Sequence, residues 1–400
     1  MADSSIDKLL QKALQDNNND LDLKVLLEAK MQEYDLTKTK VRTLLNIEFD
    51  TFEDMINGTA KQPSLINVIK LAEFLEISES DAIAAVLKNL DANHIASIEK
   101  AKAASFIAKN FDIKKLSKIG FFNSTDDAEI MLDRILAFFG YKSIYEFKNE
   151  LDLPLYHKTK RTYSDKMKDF WIKSAYQCFI DISNPNEYNR EALKELIVNI
   201  KPYSQDVENG LYTVCRALYN VGVTVIVQNH LTTTQIFGAT LIVKGKPCIV
   251  LTDLNKKYPN LWITLLHELE HVLYDQEIIA NTVFHITGDP DLFLIEEKAI
   301  EFSWDYFCDI AKYNFIKIHI NNPYVIEKFA QENEVHKSIL YWSFMHYQMK
   351  LHNKNAYAYF GEHFPDYNKA IKNLKPITWK EGSLTEVAKE LKQIFELQTI

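Results

Sequence analysis

The stretch "ITLLHELEHVLYDQ", residues 263–276, holds two histidines four apart around a glutamate: His267, Glu268 and His271. In a helix, residues four apart stand one above the other on the same face, so both imidazoles can address a single ion. An ion about 2.0–2.1 Å from each nitrogen fits tetrahedral zinc. Glu268 follows the first histidine directly and stands beside such an ion without being needed as a ligand. There it can take a proton from water and later pass it to a leaving amine. Glu270 is expected on the far side of the helix, as a bystander. The competing reading makes the two histidines core residues bonded to backbone carbonyls. Leu265, Leu266, Val272 and Leu273 flank the motif with apolar side chains, as a buried metal site requires.

A catalytic zinc of this kind needs a third protein ligand and an open position. The acidic candidates downstream are Asp275, Glu277, Asp289, Asp291, Glu296, Glu297, Glu301 and Asp305. Asp275 lies one turn past His271 and is better placed to hold a histidine than to bind the ion. Glu296 and Glu297 begin a new helical pattern after a loop containing "TGDPD". An acid on that second helix, crossing the first, closes the coordination sphere. Spacing alone leaves open which of the two it is. His285 falls in the loop between the ligand helices, where a surface role is expected, and His346 sits among aromatics at helical spacing, a core pattern.

Just before the motif come three strand-like runs, "VTVIVQN" (223–229), "GATLIV" (238–243) and "PCIVLTDL" (247–254), the last two joined by "KGK" as a hairpin. Helical patterns surround them, including "SDKMKDFWIKSAYQCFIDI" and "REALKELIVNI" before and "EEKAIEFSWDYFCDIAKY" after. The expected class is α+β and helix-rich, with a small sheet feeding the helix that holds the histidines.

The N-terminal region, residues 24–88, has short helical segments broken at "DLT", "NI" and "NG". Thr37 is expected to cap "KTKVRTLL" and Asp50 to cap "TFEDMI". Two short helices joined by a tight turn describe an all-α helix-turn-helix domain. Its second helix, Glu48 to Asn57, carries Glu48, Asp50, Glu53 and Asp54 but no Lys or Arg, and residues 1–88 hold 10 Lys+Arg against 16 Asp+Glu. DNA binding relies on cations that neutralise phosphate, so this helix argues against a DNA role and for pairing with a second copy or with another protein. The chain divides on this reading into 1–88, a helical connector 89–164, and 165–400. Within the connector a cap is expected at Ser124 or Thr125, a helix stop near Gly140, and "YHKTKRTYSDKMKDF" as a solvated linker face.

The formal net charge of −9 gives no bulk attraction to nucleic acid or anionic membrane. Cys178, Cys215, Cys248 and Cys308 are far apart and form no C-x-x-C pair, which reads as free thiols in a reducing compartment. The start lacks a signal-peptide pattern and no apolar run reaches the roughly 18 residues of a membrane span. The expectation is a cytoplasmic protein.

The segment "LYNVGVTVIVQNHLTTTQIFGATLIVKGKPCIVLTDLNKKYPNLWITLLHELEHVLYD", continued by "EEKAIEFSWDYF", resembles the ImmA/IrrE family of zinc metallopeptidases, whose core is a minimal zincin-like domain. The family pattern E-x-x-A-[ND]-x-F-A falls here on Glu296, Ala299 and Phe302, with Glu297 as the fallback. Ile300 stands at the Asn/Asp position and Ser303 at the final alanine. Residues 36–78 resemble XRE or HigA-like helix-turn-helix domains, which some members fuse to the peptidase. The resemblance implies zinc on His267, His271 and Glu296, with Glu268 as the base. It also implies a narrow protein substrate, a transcriptional repressor or regulator. The rival expectation is a non-catalytic regulator or antitoxin in which the zinc fold only binds or senses.

Overall fold

The computed structural model describes residues 22–60, 63–88, 92–149, 166–231, 234, 236–277, 279, 284–286, 293–350 and 360–396. Of the charged stretch 156–170, expected as a linker face, residues 156–165 lie outside that description, as does the side chain of His285. Residues 166–170 instead open a helix that buries Met167 and Phe170. The fold is helix-rich with a small sheet, and no described helix is long and apolar enough to cross a membrane. Contacts divide the chain into two compact units, 1–105 and 106–400. The division falls inside the segment read from sequence as a connector.

In the first unit, α1 (Leu23–Glu33), α2 (Lys38–Leu45), α3 (Phe49–Asn57), α4 (Leu65–Leu75) and α5 (Glu79–Lys88) surround a core that includes Leu27, Val41, Phe52, Met55 and Leu71. The Thr37 hydroxyl accepts from the Lys40 amide and caps α2. Asn46 and Gly58, both left-handed, close α2 and α3. The expected Asp50 cap is displaced. Helix α3 starts two residues earlier, with Glu48 at its cap making no side-chain bond, and Asp50 sits in the first turn. There its charge meets the positive end of the helix dipole.

The second unit opens with an aromatic core. On α6 (Ala128–Phe139), Phe138 packs against Phe121, and both Phe138 and Phe139 pack against Phe170 of α7 (Lys166–Ile182). Arg134 ties this helix to the C-terminal segment by donating to the Trp379 and Gly382 carbonyls at 3.1 and 2.9 Å. The cap of α6 is Asp127, which accepts from the Glu129 amide, and not Ser124 or Thr125. Gly140 ends the helix in the left-handed region.

After α8 (Arg190–Val198) and α9 (Gly210–Asn220) come β1 (Thr224–Gln228), β2 (Gly238–Val243) and β3 (Lys246–Thr252). The order β1-β3-β2-β4 includes a fourth strand, Phe284–Ile286, where a loop was expected. β1 pairs parallel to β3, and β2 runs antiparallel to both β3 and β4. Lys244 and Gly245, both with positive φ, make the two-residue turn between β2 and β3, which matches the twist of paired strands. Every residue of β1 is buried, and its outer edge is covered by Ile377, whose amide donates to Val227. Helix α10 (Tyr258–Tyr274) lies across β2 and β3, and α11 (Phe293–Cys308) packs on α10. Asp309 then caps the following helix, which splits the single helical pattern expected from 296 to 313.

Candidate metal centre

Helix α10 is buried from Leu261 through Leu273, with strands on one side and α11 on another. Its all-round apolar packing sets the environment of the polar residues inside it. Histidine and glutamate at this depth carry a large desolvation cost unless they are paired or bind a cation.

His267 and His271 face each other with their Nε2 atoms 3.2 Å apart. Glu296, on the first turns of α11, brings Oε1 to 3.3 Å from His271 Nε2 and Oε2 to 3.7 Å from His267 Nε2. All three residues are buried, whereas Glu297 is exposed. Helical rotation decides between the neighbours: α11 turns position 296 inward with Ala299 and Ser303, and position 297 outward. Among the described residues, His267, His271 and Glu296 form a group whose ligand atoms all lie within 4.8 Å of one another.

These distances can be compared with what an ion requires. Ligands at 2.0–2.1 Å in a tetrahedron stand about 3.3–3.4 Å from each other. The observed 3.2 and 3.3 Å lie close to that edge length, and the 3.7 Å from His267 to the other Glu296 oxygen is somewhat longer. The protonation pattern points the same way. His271 Nδ1 lies 2.9 Å from Asp275 Oδ2, which makes it the donor and leaves Nε2 as a lone pair. His267 Nε2, 3.2 Å from it, and the Glu296 carboxylate face the same point, a donor set that suits a cation. Burial alone pushes the His271 imidazolium down. The Glu296 carboxylate, then Glu268 and Asp275, outweigh it and raise the ring to about 9. The pocket therefore favours positive charge at that point, as a proton or as a metal ion. The residues present fit zinc.

Glu268 is fully buried beside this point. Thr240 of β2 donates its hydroxyl to Glu268 Oε2 at 2.7 Å. The other oxygen lies against Gly238, where a Cβ would approach Oε1 to 2.6 Å. The absence of a side chain at 238 is what lets the carboxylate sit under the strand. Thr240 and Gly238 were not singled out from sequence. The available signal is that "GATLIV" places 238 and 240 on one face of a strand that precedes the motif helix.

Glu270 corrects an expectation. It is buried rather than turned to solvent, and its Oε2 has no hydrogen-bond partner among the described residues. That oxygen lies 3.6 Å from His271 Nδ1, and burial, reinforced by Asp275, raises the pKa of Glu270 from its ordinary value. The far side of α10 faces packed protein, so sequence amphipathicity misplaced it. Asp275 is where spacing put it, on the histidine and not among the three converging ligand atoms. His346 stacks on Trp304 with ring centres 3.8 Å apart, away from the centre. The four cysteines are buried free thiols.

No family model, no curated protein and no solved structure matches the chain.

Proposed function

We propose that this protein is a zinc-dependent endopeptidase, with a zincin-like minimal domain following an N-terminal helix-turn-helix module. The resemblance of residues 205–305 to the ImmA/IrrE metallopeptidases supports this reading. The observation that carries it is the buried convergence of His267, His271 and Glu296 at zinc-like spacing, with Glu268 beside them. A zinc ion held there would supply Lewis acidity, polarising a peptide carbonyl and making water more acidic.

The chain's own residues supply the rest. Glu268 takes the proton that attacking water must lose and delivers it to the amine nitrogen as the peptide bond breaks. The Thr240 hydroxyl fixes the rotation of that carboxylate, and Gly238 leaves room for it. Asp275 holds the His271 ring so that Nε2 faces inward. The substrate would be a protein, a repressor or regulator by the same resemblance. A pure binding site has no use for a carboxylate at position 268, and this favours hydrolysis over a metal-sensing regulator.

The test compares purified wild type with His267→Ala and Glu268→Gln. Wild type is expected to hold one zinc per chain, the first variant none, and the second a full complement. Incubation of wild type with a cell extract should create new protein N-termini that the Glu268→Gln protein does not produce. A wild type that cannot be loaded with zinc sinks the metal reading. Full zinc with identical N-termini from both proteins sinks the hydrolytic one.

A further inference from the structure

Helix α3 of the first unit buries Phe52, Met55 and Ile56 and leaves Phe49 60% exposed at its start. Leu44, at the end of α2, is 59% exposed, and Ile66 and Ile69 on α4 are 66% and 42% exposed. A hydrogen bond places the last two beside the turn that the first two flank: Lys70 of α4 donates to the Asn46 carbonyl in the turn between α2 and α3. A cluster of large apolar groups around one turn is unlike the singly scattered apolar residues of an ordinary surface.

The rim of this patch is acidic. Glu48 and Asp50 flank Phe49 and are exposed, Asp54 is exposed one turn further on, and Glu73 is exposed one turn past Ile69. Among the described residues neither Glu48 nor Asp50 takes part in an ion pair. Most of the described cations nearby are already engaged. Lys38 lies 2.7 Å from the Glu53 carboxylate, Arg42 donates to the Ile47 carbonyl, and Lys70 to that of Asn46. Lys40, one turn before Leu44, remains exposed and is outnumbered. The helix dipole accounts for the acids at the cap and first turn of α3, but not for the uncovered ring of Phe49.

We infer that this face of the first unit is a docking surface for a basic, amphipathic segment of another protein. Its apolar side would cover Phe49, Leu44, Ile66 and Ile69, and its Lys or Arg residues would meet Glu48, Asp50 and Asp54. Charge complementarity selects the occupant. Duplex DNA brings phosphates against a helix with no cation, and DNA interfaces are polar and wet, not apolar. A second copy of this chain brings like charges together at the same rim. The inference does not depend on the hydrolytic reading, because no residue of the metal centre enters it.

The probes are three labelled molecules offered to the full-length protein. They are an 18-residue Leu/Lys amphipathic peptide, its Leu/Glu counterpart, and a 20-base-pair duplex. Anisotropy should show binding of the Lys peptide alone, weakening as salt rises. Phe49→Ser and Asp50→Lys, both at exposed positions, should each weaken it about tenfold and leave zinc content unchanged. Phe49→Ser should keep the thermal melt, and Asp50→Lys should lower it only slightly through the helix dipole. Equal binding of the Leu/Glu peptide, or undiminished binding by both variants, overturns the proposal. So does duplex binding that these variants weaken, or light scattering that shows a dimer which Phe49→Ser dissolves.

Discussion

Helices α3 and α10 each carry several acids among apolar residues, and the two treat them in opposite ways. Helix α3 buries one face and leaves Glu48, Asp50 and Asp54 in water, where each costs little and reacts little. Helix α10 is enclosed on every side, so Glu268, Glu270 and, just past its end, Asp275 lie buried beside the two histidines. A carboxylate in water is screened, while one in the interior exerts its full field on its neighbours. The difference explains why the ring of His271 is raised to about 9 although burial opposes its charge. On the two readings proposed above, the same residue type serves recognition on one helix and chemistry on the other, and burial separates the roles.

The sharpest way to break this comparison is to exchange a buried acid for an exposed one on a single helix. Glu296→Gln should abolish stoichiometric zinc, because an amide cannot replace the carboxylate that neutralises the ion. Glu297→Gln, one residue away and exposed, should leave zinc unchanged. Atomic absorption on the two purified proteins decides it. Equal zinc in both would remove Glu296 from the centre.

A second contrast lies within α3. Phe52→Ala, at a ring 1% exposed, should cost the first unit about 3–5 kcal/mol in urea unfolding. Phe49→Ala, at a ring 60% exposed, should stay within about 0.5 kcal/mol. A large loss at Phe49 would mean that the ring is already covered.

Removing the metal tests the buried charge by pH. His271 has a folded value of about 9 against 6.5 when free, so its protonation stabilises the stripped protein fully below 6.5, and that contribution is lost as pH rises through 9. The chelated protein should therefore unfold at lower urea at pH 9 than at pH 6.5. His271→Ala should lack this fall. Lys173, lowered to about 8 chiefly by burial, works in the opposite sense above pH 8, so the comparison between the two proteins is what counts. The zinc-loaded protein should not weaken over the same window, because metal and proton compete for one nitrogen. A stripped wild type that holds its stability to pH 9 contradicts the buried-cation account.

Much of the centre was legible in sequence because its information is local. The i, i+4 spacing of His267 and His271 guarantees a shared face, and Glu268 and Asp275 follow from the same helix. Alternating and continuous apolar runs also marked β1, β2 and β3 to within a residue or two. What could not be read were relations across the chain. Thr240 and Gly238 reach Glu268 only because β2 lies against α10, and no spacing encodes that contact. Glu270 was misplaced because a helix surrounded by protein has no solvent side. The three residues of β4 pair with β2 but are too few to show a period. The choice of Glu296 over Glu297 likewise waits on the rotation of α11 against α10.

The smallest expected effect concerns the residue that touches no ion. Asp275 accepts from His271 Nδ1 at 2.9 Å, fixing both the tautomer and the ring plane. Asp275→Asn keeps an acceptor and removes a charge, so zinc should still bind, with an affinity about 10–100-fold lower. Glu270 complicates the result in an informative way, since its unpartnered Oε2 is only 3.6 Å from the same nitrogen. If it swings in to replace Asp275, the single variant will fall at the small end of that range and Glu270→Gln/Asp275→Asn will lose more than the two single losses combined. Competition against a chelator of known zinc affinity measures all three proteins on one scale. Additive losses would assign the orienting role to Asp275 alone, and no loss in any of them would mean that His271 is held by packing and not by charge.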